Sequence, residues 1–264
     1  MRARIERMFR GRAPRVIFAA AFWLILWQLL YWKVGQEILV VSPARVLQRL
    51  MQLGADGAFW ACVGASLLRI LAGYFLAVVC GTFLGAACSR FRMLYDLVHP
   101  LVGILRATPV ASFIILALVW IKSARVPVFT AFLMVFPIVW ENLYRGVRSA
   151  DKSLLEMAES FHVGKLKKIR YLYFPCVLPH FTAACAAGMG LAWKAGIAAE
   201  VLANTRNSIG GQIYGAKIYL ETADLFAWTA VVVVMSVLLE RLMLRLIGRF
   251  SGQRDRSEGN FHGD

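Results

Sequence analysis

ILAGYFLAVVCGTFLGAACS, residues 70–89, runs for twenty residues without a charge. Crossing the hydrocarbon core of a bilayer as a helix takes about 20 mostly apolar residues. A surface helix of a soluble domain would carry charged side chains on its solvated face, and this stretch has none. Its glycines and alanines suit the close backbone approach by which membrane helices pack. Around it the segment extends to 62–89, and five further apolar stretches occur at 16–33, 101–121, 126–146, 177–203 and 224–248. Pro100, Pro109, Pro127 and Pro137 interrupt the third and fourth, which membrane helices tolerate where neighbours satisfy the freed carbonyls. The chain therefore reads as an all-α membrane protein with six transmembrane helices.

Composition agrees. The 264 residues are 59% hydrophobic and 17% charged, against roughly 45–50% and about 25% for a soluble domain. The formal charge of +15 raises the question of nucleic acid. The 30 Lys and Arg do not form one patch, however, and no nucleic-acid-binding motif accompanies them. They track the spans instead. With six spans both ends share a side, and that side holds twenty Lys and Arg against seven in the alternate loops. The positive-inside rule then puts both termini in the cytoplasm.

This divides the chain into a cytoplasmic tail (1–15), a retained first helix (16–33), an external segment (34–61), a core (62–248) and a polar cytoplasmic tail (249–264) expected to be disordered. No small-residue cleavage site follows the first apolar run, so it reads as a span and not a removed signal. Within the external segment, SPARVLQRLMQL starts a short helix with Ser42 as cap and Pro43 in the first turn. The five cysteines form no C-x-x-C pair and read as small core residues. Most tryptophans, including Trp23, Trp27, Trp32, Trp60, Trp120 and Trp140, fall near span ends, as an interfacial belt does.

No catalytic or metal constellation is visible. The four histidines have no partner at ligand spacing, and neither H-E-x-x-H nor G-x-S-x-G occurs. GGQIYGAK (210–217) lacks the Lys-Ser/Thr pair of a phosphate loop. The chain thus carries no cofactor site of its own and does not hydrolyse ATP alone.

The long basic connection LLEMAESFHVGKLKKIRYLYFPCVLP (154–179) needs its own explanation, because links between membrane helices are usually short. Ser153 with Glu156 three residues later is in capping-box register. The helical pattern breaks around His162 to Gly164, and a basic amphipathic helix from Lys165 to Phe174 leads to Pro175 and Pro179. On its residues alone, such a segment also suits a helix lying on anionic lipid, through Lys165, Lys167, Lys168 and Arg170.

Glu156-x-Ala158, a turn, a basic helix and a Pro-x-x-x-Pro entrance resemble the EAA loop of ABC-importer permeases. Met157 replaces a small residue of that pattern, and His162 stands where the family usually has glycine. If that glycine serves a positive φ, the turn shifts onto Gly164 or His162 bears the cost. RATPVASFIILALVW (106–120), GLAWKAGIAAEVLA (190–203) and SIGGQIYGAKIYLETADLFAW (208–228) resemble the narrower group that includes permeases for nitrate, taurine and alkanesulfonates.

The resemblance implies a type I, MetI-like permease core in a bacterial inner membrane, with the coupling loop at 151–175. It implies a homodimer of this chain, two ABC ATPase subunits that bind ATP and Mg, and an extracytoplasmic solute-binding protein. Glu156, Ala158, Phe161, His162, Val163, Gly164 and Lys165 would meet the ATPase in a hinge-type switch. Arg106, Pro109, Lys194 and Glu200 are the candidates for the solute pathway, because ionisable residues at membrane depth default to function. Lys194 and Glu200, six residues apart, lie about 120° apart on one helix and are not expected to pair. Either a solute in the pathway or a neighbouring helix can satisfy Lys194, while Arg69 and Arg106 sit near helix ends and can snorkel. The expected cargo is a small anionic or sulfonate-like solute or a heterocyclic vitamin precursor. A stand-alone secondary transporter or channel is the rival reading, and it has no use for a docking loop.

Overall fold

The computed structural model describes the backbone of residues 12–258 and the side chains of residues 18–248. The expected N-terminal tail up to residue 11, and the last six residues, lie outside these. Among the described residues every regular element is helical. They are α1 (Arg12–Val34), α2 (Pro43–Gly54), α3 (Gly57–Arg90), α4 (Arg92–Ala107), α5 (Val110–Trp120), α6 (Val126–Arg148), α7 (Lys152–Ser160), α8 (Lys165–Lys168), α9 (Phe174–Leu202), α10 (Ile209–Ile218) and α11 (Thr222–Glu258). A 3-10 turn (Ser123–Arg125) precedes α6, and a π turn (Ile169–Tyr173) joins α8 to α9.

Three helical stretches among these are long and apolar enough to cross a membrane: Gly57–Arg90, Ser123–Arg148 and Lys165–Leu202. The expected third span is not continuous. α4 and α5 meet at an angle of 106°, and only as a pair do they make a fourth. The cause is local: Pro109 has no N–H to continue the ladder, and the residue before a proline avoids the helical region. Thr108 accordingly sits at φ −82, ψ 131, and Pro109 at φ −59, ψ 136. Pro100, Pro127 and Pro137 by contrast lie inside or at the start of helices that continue.

The chain forms two compact units. The larger comprises Ala61–Gly211 and Val232–Asp264. Its centre is the packing of α6 against α9 and of α3 against α6. Between membrane helices lipid is as apolar as leucine, so shape has to hold them together. Here the shape comes from glycine. A Cβ on Gly81 would lie 2.9 Å from Val139 Cβ, and one on Gly85 would lie 2.7 Å from the Trp140 carbonyl oxygen. Gly73 faces Val128 and Ala131 in the same way, and Gly146 lets α6 approach His180 and Val177 of α9. The few polar atoms inside are paired across helices: the Tyr74 hydroxyl donates to the Cys185 carbonyl at 3.0 Å, and the Trp193 indole N–H to that of Val232 at 3.0 Å. Trp140 is buried, donates to Cys88 Sγ, and stacks with Tyr95 and Tyr144. It belongs to the core and not to an interfacial belt.

The smaller unit comprises the described part of Met1–Trp60 together with Gln212–Val231. Val41, Val46 and Ala227 are its buried centre, with Trp27 stacked on Phe226 and Phe59 against Trp228. Ser42 caps α2 through the Arg45 amide and Pro43 opens the helix, as the sequence predicts. The Arg49 guanidinium grips Asp224 at 2.5 and 2.8 Å, and the Thr222 hydroxyl donates to the Ile38 carbonyl at 2.6 Å. At the C-terminus α11 continues to Glu258, past the expected boundary at 248. Residues 249–258 hold no proline, so nothing covalent stops the helix there.

Candidate functional site

α7 starts two residues earlier than its sequence suggests. Its cap is Asp151, whose carboxylate accepts from the Ser153 amide and hydroxyl, both at 2.8 Å. Those two bonds hold the Asp151 carboxyl below the usual aspartate range. Ser153 thus supports the cap and does not form it, and the capping-box register of Glu156 goes unused. Glu156 is exposed, and its side chain makes no ion pair among the described residues.

The turn after α7 is decided by His162. It adopts φ 52, in the left-handed region, at the position where the EAA pattern has glycine. The His162 amide donates to the Glu159 carbonyl at 3.0 Å and the Val163 amide to the Ala158 carbonyl at 2.9 Å. This pair of bonds is a Schellman cap, which needs a left-handed residue after the last helical turn. Histidine is one of the side chains that tolerates the conformation, and its Nδ1 lies 3.1 Å from the Ser160 carbonyl oxygen. Gly164 is extended (φ −59, ψ 149), so the turn has not shifted onto it.

The small residue of the pattern, Ala158, is buried beneath this turn. Phe161 (77% exposed) and Leu166 (82% exposed) flank it in the open, with Met157 also exposed. Lys165 and Val163 complete the set, exposed and half-buried respectively. Lys168 bridges back to Glu159 at 3.6 Å and ties the two arms of the turn together. From there the π turn delivers the chain into α9, whose first turn holds Pro175 and whose second holds Pro179.

The four pathway candidates are not brought together. Arg106, in the last turn of α4, forms an ion pair with Glu141 of α6 and donates to the Pro137 carbonyl at 3.0 Å. Pro109 is the bend between α4 and α5. Lys194 is exposed on α9 and has no hydrogen bond or ion pair among the described residues. It stands on a stripe of small, exposed or half-buried residues: Ala183, Ala187, Gly190 and Ala198.

Glu200, one and two-thirds turns on, is fully buried. Its Oε2 accepts from the Ser66 hydroxyl at 2.8 Å and from the Gly210 amide in the first turn of α10 at 3.1 Å. Its Oε1 is 3.5 Å from the Arg69 guanidinium, an ion pair without a hydrogen bond. Ser66 in turn accepts from the Ile209 amide at 2.9 Å, and Arg69 donates to the Asn207 carbonyl at 3.1 Å. Lys194 and Glu200 therefore face different surroundings, as their spacing predicts.

Sequence reading misses Glu141, which binds Arg106 and Arg145 together. The Glu141–Arg145 spacing of four was the available signal. It also misses Ser66, because nothing local links residue 66 to residue 200. Among the described residues no cluster of His, Cys, Asp and Glu suits a metal ion.

A family model described as the binding-protein-dependent transport system inner membrane component matches residues 70–252. The chain belongs to that family. The taurine transport system permease of Escherichia coli is 25% identical over 231 residues, covering 85% of this chain and 83% of its own. A nitrate import permease of Synechocystis is 27% identical over 205 residues, covering 72% and 73%. In solved structures, an inward-facing methionine ABC transporter matches 73% of this permease and 97% of its own chain, with a TM-score of 0.60 at 14% identity. That likeness establishes the fold. Its relatives are transport components of ABC systems and not enzymes, so this permease is a membrane component of such a system.

Proposed function

We propose that this permease forms the solute pathway of an ATP-driven importer, as a six-span homodimer with both termini in the cytoplasm. Two separate ATPase subunits dock on residues 151–175, and an extracytoplasmic binding protein delivers the solute. The observation that carries the reading is the α7–α8 turn. It is rigidly built, by an Asp151 cap, a Schellman turn and the Lys168–Glu159 bridge, yet it presents Phe161, Leu166 and Met157 uncovered. Exposed apolar side chains on a rigidly built turn are what a groove on a partner receives.

The names of the relatives support a small organic or inorganic anion as cargo. Lys194 fits this, as a cation without a counter-ion among the described residues, on a small-residue stripe. A translocating anion would supply the missing charge.

Affinity purification of the tagged permease from its native membrane in mild detergent, with mass spectrometry, tests the assembly. Stoichiometric recovery of an ABC ATPase is expected; recovery of the permease alone, in a preparation that preserves other complexes, would point to a stand-alone transporter. In the reconstituted complex Glu156→Lys should uncouple ATP hydrolysis from uptake, and an unchanged ratio of the two counts against the docking assignment. Lys194→Glu should abolish uptake of the anion while ATPase subunits still co-purify.

A further inference from the structure

Glu141 is one carboxylate shared by two guanidiniums. Its Oε2 pairs with Nη1 of Arg106 on α4, and its Oε1 with Arg145 on its own helix. Arg49 and Asp224 are joined differently, by two guanidinium nitrogens on both carboxylate oxygens. The two-pronged contact is the stronger and geometrically more fixed form, so the Arg106–Glu141 contact is the looser of the two. Arg106 also has a second anchor, the 3.0 Å bond from its Nη2 to the Pro137 carbonyl. If Glu141 let go, the guanidinium would stay in place and Glu141 would still have Arg145. Two guanidiniums around one carboxylate leave one positive charge unmatched.

The guanidinium is open on one side. The Arg106 side chain is 45% exposed against 20% for Glu141, and a Cβ on Gly103, one turn back, would meet nothing within 4 Å. Its depth follows from packing. Gly146 of α6 lies against Val177 and His180 of α9, and Gly188 of α9 against Val135 of α6, so these helices run antiparallel. Interpolation between the two contacts puts Glu141 level with Ala183, about 16 Å along α9 from Lys194. The open stripe Ala183, Ala187 and Gly190 spans that interval without a charge or a hydrogen-bonding side chain. By the distribution of basic residues, Lys194 stands nearer the extracytoplasmic side and Arg106 nearer the cytoplasm.

We infer that Arg106 is the inner receiving point for the anion whose outer one is Lys194, and that Glu141 is a built-in stand-in for that anion. A carboxylate, sulfonate or nitrate takes over Nη1 of Arg106, and Glu141 falls back on Arg145 without being stranded. The stand-in spares Arg106 an unpaired charge at membrane depth, which is costly. A cationic or uncharged solute cannot replace Glu141, so the exchange selects cargo by charge. The inference rests on the anion-importer reading above and names a residue that sets its specificity.

The test follows the melting temperature of the purified permease, with whatever ATPase stays bound, in nanodiscs as methanesulfonate or nitrate replaces gluconate at constant ionic strength. A ligand of the folded state raises stability by RT ln(1 + [L]/Kd), so the series yields a dissociation constant. Glu141→Gln removes the competitor and should bind either anion about tenfold more tightly than wild type. Arg145→Gln leaves Glu141 to Arg106 alone and should weaken binding. In the Glu141→Gln background it should change nothing, because it acts only through Glu141. Arg106→Gln should give no anion response. A purely structural ion pair gives one anion response in wild type and every variant, with lower melting temperatures, and that result overturns the inference. General attraction by surface charge makes the Glu141 and Arg145 effects additive, which overturns it too. So does a lack of response in both wild type and Glu141→Gln, as for a guanidinium that serves only lipid phosphate. If Glu141→Gln does not fold, an unchanged dissociation constant in Arg145→Gln, at an exposed position, is sufficient to overturn it. Absence of an ATPase from the preparation removes the importer reading instead and leaves the anion site to be judged by the titration.

Discussion

Glu200 makes the sharpest prediction, because its surroundings assign it to the frame of the protein and not to a moving solute. Truncation to alanine removes the acceptor for the Ser66 hydroxyl and the Gly210 amide and strands Arg69. Breaking a buried pair by removing one partner costs about 3–5 kcal/mol. Glutamine differs: it keeps an acceptor oxygen for both donors, loses the charge, and turns an amide NH2 toward Arg69 in place of the second oxygen. A hydrogen bond to a charged group contributes about 1.5–3 kcal/mol against roughly 0.5–1.5 for a neutral one, so two bonds lose about 2 kcal/mol in all. The Arg69 attraction at 3.5 Å, partly open to solvent, adds at most about 1 kcal/mol.

The expected order is therefore wild type, Glu200→Gln, Glu200→Ala. With about 2–4 °C per kcal/mol for a chain of this size, alanine should lower the melting temperature by about 10 °C and glutamine by roughly half of that. Tryptophan fluorescence during heating of the nanodisc complex measures it, and a Ser66→Ala cross completes a double-mutant cycle whose coupling should exceed about 0.5 kcal/mol. An alanine variant that melts with wild type but transports a different range of solutes would refute the reasoning and return Glu200 to the pathway.

Gly85→Leu should abolish folded, monodisperse protein, because the obstacle at 2.7 Å is backbone and cannot rotate away, whereas Gly103→Ala, with nothing within 4 Å, should be silent in the same size-exclusion assay. At the α7–α8 turn His162→Gly trades relief of the left-handed strain against lost side-chain bonding and added chain freedom, so protection of the Val163 amide from exchange should barely change; His162→Val, β-branched at φ 52, should lose about 2 kcal/mol of it. Because the Asp151 carboxyl is held below the usual range, its contribution to α7 is complete above the ordinary aspartate value and is lost as pH falls through the lowered one. Protection of the Ser153 amide should follow that course in wild type and be flat with pH in Asp151→Asn.

What the sequence discloses and what it hides divide along the length scale of the interactions. The span at 70–89 is legible because its cause, the lack of charge, lies in the residues themselves. So is the Ser42–Pro43 start of α2, where cap and helix are adjacent. The bend at Pro109 was half-legible: the proline is visible, but Pro137 lies inside a continuous helix and Pro109 does not, and the difference is made by Thr108 turning extended before it. Asp151 outcompetes Ser153 as a cap by two residues, a choice between near-equal local partners. The role of Glu200 was illegible, since its partners Ser66 and Gly210 meet it only after α3, α9 and α10 have packed.

The π turn at Ile169–Tyr173 joins α8 to α9 without a break, so Lys165–Leu202 is one helical rod of 38 residues. At 1.5 Å per residue it is about 57 Å long. Such a rod multiplies angle into distance: a tilt of about 5° about its Lys165 end sweeps the far end through roughly 5 Å, close to the rise of one helical turn. Lys194 and Glu200 ride near that far end. A tilt of that size at the Lys165 end therefore either carries Ser66 and Gly210 along with Glu200 or breaks the hydrogen bonds that hold it to them.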